Sequence, residues 1–196
     1  FLLSRSFSFK SKQIKKMHGK NTLFSYDTKK SINDIKPITT QQIKYDEFLS
    51  NPQVKIIIGN GPAGTGKTLL ACKNAIKHFQ DQKIEKIIIT RPMISVEEDM
   101  GFLPGGINDK MNPWTIPIFD VFKDYYTNNE LKYLISENKI EIAPLGFMRG
   151  RTFKNSFIIA DEMQNSSPTQ MLMLLTRIGE NSKMVLTGDL KQSDIK

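Results

Sequence analysis

Gly61-Pro62-Ala63-Gly64-Thr65-Gly66-Lys67-Thr68 decides how this chain is read. Two glycines flank four residues and are followed by Lys and Thr, the spelling of a phosphate-binding loop at every required position. Glycines let the backbone turn tightly and aim successive N–H groups inward, forming a nest for phosphate oxygens. Lys67 brings a point charge to the β- and γ-phosphates, and the Thr68 hydroxyl is a candidate ligand for Mg²⁺. A helix that starts at such a loop adds the positive end of its dipole.

The flanks agree. Residues 54–58 (VKIII) form an apolar run suited to a buried parallel strand, and they lead straight into the loop. Residues 67–80 are predicted to be a helix with Leu69, Cys72, Ile76 and Phe79 along its buried face. Further apolar runs at 86–90 (KIIIT), 157–160 (FIIA) and 184–187 (MVLT) are predicted strands, with a short one at 141–143. Strands alternating with helices predict an α/β domain of three layers around a mainly parallel sheet.

The third strong strand ends in Asp161-Glu162. Two carboxylates after a fully apolar run are costly to bury unless a cation and hydrogen bonds compensate. In phosphate-loop ATPases an acid at a strand end completes the Mg²⁺ shell. Asp161 is therefore the candidate metal residue, acting through water, and Glu162 the candidate general base that polarises the attacking water. Gln42, upstream of the loop, is a candidate reader of the adenine edge, because a carboxamide both donates and accepts. A polar group after the 184–187 strand, within Gly188-Asp189-Leu190-Lys191-Gln192, is expected beside the γ-phosphate.

The remaining segments are less sharply written. Residues 43–50 predict a short helix, and 115–135 another, with Ile118, Phe122, Tyr125, Leu131 and Leu134 facing inward. A further helix is capped by Ser167, has Pro168 at its first position and is expected to run to Gly179. Residues 93–117, rich in Gly and Pro, predict a loop with a short helix near 96–100.

The 196 residues suffice for one domain with a buried core, and no run of apolar residues is long enough to cross a membrane as a helix. The single Cys72 excludes a disulfide framework within the chain and reads as a small core residue. The formal net charge of +8 divides unevenly, with +7 in residues 1–36 and +1 in residues 37–196. The basicity belongs to the tail, and the domain's balance gives no support of its own to nucleic-acid binding. Residues 1–36 are acid-poor before Asp27 and rich in Ser and Lys. They read either as an organelle transit peptide, which would place the protein in a mitochondrion or plastid, or as a disordered basic tail on a cytoplasmic protein. The first residue is Phe1, which fits a fragment or a processed product.

With these residues placed, the chain resembles the PhoH-like family of phosphate-starvation-inducible ATPases, relatives of the superfamily-one helicase core. The resemblance covers residues 37–196. It rests on 61–68 (GPAGTGKT), 89–92 (ITRP), 101–105 (GFLPG), 143–152 (APLGFMRGRT), 161–165 (DEMQN), 176–179 (TRIG) and 182–192 (SKMVLTGDLKQ). Met163 stands where the family's acid motif usually carries Ala. The resemblance implies Mg²⁺-dependent ATP hydrolysis coupled to work on RNA. It also implies adenine contact by Gln42, and coupling of the γ-phosphate to conformational change by Gln164 and Gln192. It implies that the domain continues beyond Lys196, so the site is expected to be incomplete. Two rivals stay open: a small-molecule kinase built on the same loop, and a nucleotide-binding scaffold without turnover. Double-domain helicases supply arginines from a second domain, so a ring or other homo-oligomer is expected here. Arg149, Arg151 and Arg177 are the candidate fingers.

Overall fold

The computed structural model describes residues 35–92 and 113–193. The expected helix near 96–100 and residues 1–34 of the tail lie outside the described residues, while Ile35 packs against the core. Five strands form one sheet: β1 (Ile56–Asn60), β2 (Lys86–Thr90), β3 (Ile140–Ile142), β4 (Ser156–Ala160) and β5 (Lys183–Gly188). Their spatial order is β1-β5-β4-β2-β3, and every pairing is parallel. β5, the last of these five in sequence, is thus inserted between the strand that feeds the glycine loop and the strand that carries the acids.

Among the described residues five α-helices accompany the sheet: α1 (Thr40–Ser50), α2 (Lys67–Gln80), α3 (Ile116–Lys123), α4 (Asn128–Ser136) and α5 (Pro168–Leu175). The period-two alternation of the strands divides the core in two. Ile87, Ile89, Phe157, Ile159 and Val185 join the cluster built with α1 to α4. Ile88, Ile158, Met184 and Leu186 face the opposite cluster, with Leu174 of α5 and Met148. These two clusters are the physical content of the three layers. α2 is the central helix of its layer, with Ala71, Cys72, Ala75 and Ile76 fully buried.

Four expectations need correction, the first being the buried strand at 54–58: β1 starts at Ile56, lies at the edge of this sheet and leaves Ile58 73% exposed. The predicted helix 115–135 is two helices, because Thr127 and Glu130 form a capping box that starts α4 afresh, while Tyr125 and Tyr126 are buried in the turn. α5 ends at Leu175 with Thr176 as its cap, not at Gly179. Gly179 instead allows two chain segments to approach closely. Its N–H bonds Phe153 O beside the Phe153–Ile178 bridge, and a Cβ there would lie 2.6 Å from that oxygen. On α2, Leu70 rather than Leu69 is the core residue.

Candidate active site

β1 ends at Asn60, and the glycine loop bridges directly to α2. Gly64 (φ 75°) and Gly66 (φ 80°) sit in the left-handed region, which side chains rarely adopt, and Gly66 is the N-cap of α2. Inside the loop the Thr65 hydroxyl donates to Pro62 O at 2.8 Å. Lys67 Nζ donates to Gly61 O at 2.6 Å and Pro62 O at 2.8 Å, so its ammonium lies across the loop's own carbonyls. Pro62 and Ala63 are exposed along its rim.

Gln42 meets the loop from α1. Thr39 and Gln42 form a capping box, a feature worth about 1 kcal/mol, in which Gln42 Oε1 accepts from Thr39 N. The same oxygen accepts from Ile38 N, and Nε2 donates to Thr65 O at 3.0 Å. Gln42 therefore ties the start of the helix to the loop; Thr39 three residues before it spells the capping box, whereas nothing nearby in sequence announces the bond to Thr65.

Asp161 follows β4 and faces α2. The Thr68 hydroxyl donates to Asp161 Oδ1 at 2.8 Å across a separation of 93 residues. Thr187 on β5 donates its hydroxyl to the same oxygen. With both hydroxyls on Oδ1, Asp161 Oδ2 accepts no hydrogen bond among the described residues. Thr187 is buried and has no signal in the sequence, because its proximity to Asp161 follows only from the insertion of β5 beside β4.

Glu162 has a left-handed backbone, φ 54° and ψ 38°, uncommon outside glycine and a local strain. Its Oε2 accepts from Gln164 Nε2 at 2.6 Å, and Gln164 Oε1 accepts from Asp189 N at 3.1 Å. Gly188 makes room for this arrangement, since a Cβ there would lie 2.7 Å from Gln164 Oε1. Gln192 lies in the following turn, exposed and without a side-chain hydrogen bond to a described residue. Of the two glutamines that the family resemblance assigned to γ-phosphate coupling, Gln164 alone is joined to the acid.

A cavity of about 540 Å³ opens beside the acids, lined among others by Thr68, Arg91, Trp114, Val121, Asp161 and Glu162. Leu69, turned out of the core, lines it too. The candidate finger arginines are placed very differently. Arg151 binds Glu141 with both guanidinium nitrogens and lies over the Phe153 ring at 4.6 Å. Arg177 donates to Met173 O and Arg151 O. Arg149 is exposed and makes no side-chain bond among the described residues.

A parallel sheet whose first strand runs through a glycine loop into a helix, with an acid pair two strands away, defines a phosphate-loop nucleotide-hydrolase fold of the helicase type. Solved structures agree on that fold. The Sulfolobus solfataricus SWI2/SNF2 ATPase core in complex with dsDNA matches with a TM-score of 0.50 at 11% identity, over 79% of this chain and 32% of that one. The UvsW helicase from bacteriophage T4 matches with a TM-score of 0.51 at 16% identity, over 81% of this chain and 54% of that one. Residues 34–196 match the PhoH-like protein family, and the chain belongs to it. It is 45% identical over 140 residues to a PhoH-like protein of Bacillus subtilis, covering 71% of this chain and 44% of that protein. The PhoH-like protein of Synechocystis is 41% identical over 157 residues, covering 80% of this chain and 47% of that protein. Protein PhoH of Escherichia coli K12 is 38% identical over 167 residues, covering 83% and 47%. The chain spans just under half the length of these relatives. Among the described residues no helix is long and apolar enough to cross a membrane.

Proposed function

We propose that this chain binds ATP with Mg²⁺ and hydrolyses its terminal phosphoanhydride bond. The observation that carries the reading is the meeting of Thr68 and Asp161, 2.8 Å apart where α2 begins and β4 ends, with Glu162 lining the same cavity. The donor set fits Mg²⁺. It offers a hydroxyl and one carboxylate whose Oδ2 has no protein donor among the described residues, where no group of three His, Cys, Asp or Glu is gathered. Mg²⁺ is usually held by one or two carboxylates together with substrate phosphates and water, not by an all-protein cage. Thr68 and Asp161, the latter through water, would hold it, and the ion would neutralise charge on the phosphates.

The chain's own groups supply the rest. The N–H groups of residues 61–68 and the Lys67 ammonium bind the phosphates, and Lys67 exchanges the loop carbonyls for phosphate oxygens. Glu162 accepts a proton from the attacking water while the new O–P bond forms and the bond to the ADP oxygen breaks. Gln164 holds the Glu162 carboxylate toward this work. Gln42 is assigned to adenine contact through its second Nε2 proton, since its oxygen already accepts from Ile38 N and Thr39 N and its other proton goes to Thr65 O. Gln192 is assigned to sensing the γ-phosphate from the end of β5.

Coupling to RNA, as remodelling or unwinding, is the proposed use of the hydrolysis. Its support is the helicase-type fold shared with proteins named as helicase and DNA-bound ATPase core. Assembly into a homo-oligomer is part of the same proposal. A second reading, a small-molecule kinase, draws on the apolar walls of Leu69, Trp114 and Val121 around the cavity, which could seat an acceptor. Steady-state turnover of ATP with and without single-stranded RNA tests the proposal, with free phosphate as the expected product. A phosphorylated acceptor in place of free phosphate establishes the kinase. Binding without turnover in the presence of RNA and Mg²⁺ leaves only the scaffold.

A further inference from the structure

At the opposite end of the sheet from the glycine loop, the amino ends of the strands surround a second cavity of about 400 Å³. It lies among Ser50 and Pro52 after α1, Lys55 before β1, His78 on α2, Lys83 before β2 and Lys183 at the start of β5. Among the described residues its lining holds three lysines and no carboxylate. Its size falls within the range of small-ligand pockets.

Lys183 is the unusual member. It is only 5% exposed, yet among the described residues no acid pairs with it. Its Nζ donates to Asn51 O at 2.6 Å and to Phe48 O at 3.2 Å. An ammonium has three protons to donate, so one donor is left over. Burial, and then the nearby Lys55, push Lys183 down to about 8. A buried cation facing a second cation is costly unless a counter-charge is supplied. Asp81 does not supply it, because its carboxylate pairs with Lys83 at 3.2 Å out on the surface. His78, also buried, has Nδ1 2.8 Å from Asn74 O. Nδ1 donates to that carbonyl and burial favours the neutral ring, so Nε2 is an acceptor and the lysines, not His78, are the donors available to an anion.

We propose that this cavity binds a small phosphate-bearing anion, held by Lys183 in its interior and by the exposed Lys55 and Lys83 at its rim. The anion supplies the charge the lining lacks. A compact di- or triphosphate suits the cavity better than a nucleic-acid strand, because the most strongly placed cation is buried and a polymer backbone needs an open track. The site is separate from the nucleotide site, since β5 places Lys183 and Thr187 at its two ends.

Pyrophosphate is the probe, titrated calorimetrically into the full chain carrying Lys67→Ala, so that the glycine loop is weakened as a competing phosphate site. Saturable binding is expected. Adding Lys55→Ser and Lys83→Ser, both at exposed positions, should weaken it about tenfold or more, as charge-assisted contacts disappear, with the melting temperature unchanged. Lys183→Met should remove it, and the surface pair keeps the test valid if that variant unfolds. Absence of pyrophosphate binding in Lys67→Ala, or binding that survives the two serine substitutions, overturns the proposal. So does a ten-nucleotide RNA that loses affinity with the lysines while pyrophosphate neither binds nor competes, which would make the surface a nucleic-acid track.

Discussion

Gln164 Nε2 lies 2.6 Å from Glu162 Oε2, and the same carboxamide reaches Asp189 N through its oxygen. One side chain thus fixes the acid after β4 to the backbone after β5. Only a group with a donor at one end and an acceptor at the other can do both. An acid at position 164 would set two carboxylates against each other.

Glu162→Gln is expected to keep ATP affinity and to lower kcat by about a hundredfold or more, the range for loss of a general base. Gln164→Ala keeps the base and loosens it, so a smaller fall in kcat, about tenfold, follows from misplacement alone. Rapid-quench turnover with parallel nucleotide-binding measurements separates the two. A Glu162→Gln variant that hydrolyses ATP at the normal rate sinks the assignment.

Gly188→Ala would set a methyl group 2.7 Å from Gln164 Oε1 and 3.2 Å from Gln164 N. The oxygen ends a flexible side chain and can swing aside, whereas the backbone N must give slightly. The variant should fold, at a cost of about 1–3 kcal/mol for overpacking, and should lose activity to the degree that Gln164→Ala does. Combining the two should cost little more activity than either, because both break one link. Fully additive losses in kcat would show that Gly188 acts elsewhere.

How much of this was legible in the sequence depends on distance along the chain. α2 begins and ends where the pattern placed it, since the loop fixes its start and the apolar period its body. β2 matches its apolar run residue for residue, and Ser167 caps α5 as its spelling announces. Relationships across the sheet were not legible. Thr187 reads as an ordinary strand residue until β5 is seen beside β4, and Gly179 as a helix terminator until Phe153 is seen against it. Leu69 fits the apolar period yet lines the cavity, because the loop fixes the helix's rotation. Local spelling also could not say that Arg151 is already taken by Glu141.

That ion pair carries a pH prediction. Two hydrogen bonds from Arg151 hold Glu141, with Lys86 adding another at 2.8 Å, and its carboxyl is pulled down to about 2 from a usual 4.5. A depressed folded-state value means stabilisation that is complete above the unfolded value and lost as pH falls through the folded one. The difference in melting temperature between the parent and Glu141→Gln should therefore be constant near neutrality. It should shrink from about pH 4.5 downward and vanish only once the pH is below the folded value of about 2. A difference that stays constant down to pH 2 would show that the pair contributes through packing alone.

The last prediction concerns the charge that develops on the γ-phosphate. An arginine finger, where used, is worth roughly 10³–10⁵ in rate. Arg151 and Arg177 are engaged within their own chain, whereas Arg149 is exposed and unbonded among the described residues. Arg91 is the alternative in cis, because it lines the cavity with Glu162 and its side chain has no hydrogen-bond partner among the described residues. Mixing distinguishes them. If Arg149 acts on a neighbouring subunit, Arg149→Ala and Lys67→Ala are each inactive alone. Mixed assemblies regain activity, since some interfaces join an intact loop to an intact finger. If Arg91 acts within its own subunit, Arg91→Ala mixed with Lys67→Ala regains nothing, because no subunit holds both groups. Full turnover by a strictly monomeric preparation would remove the neighbour from the mechanism and leave the charge to Arg91.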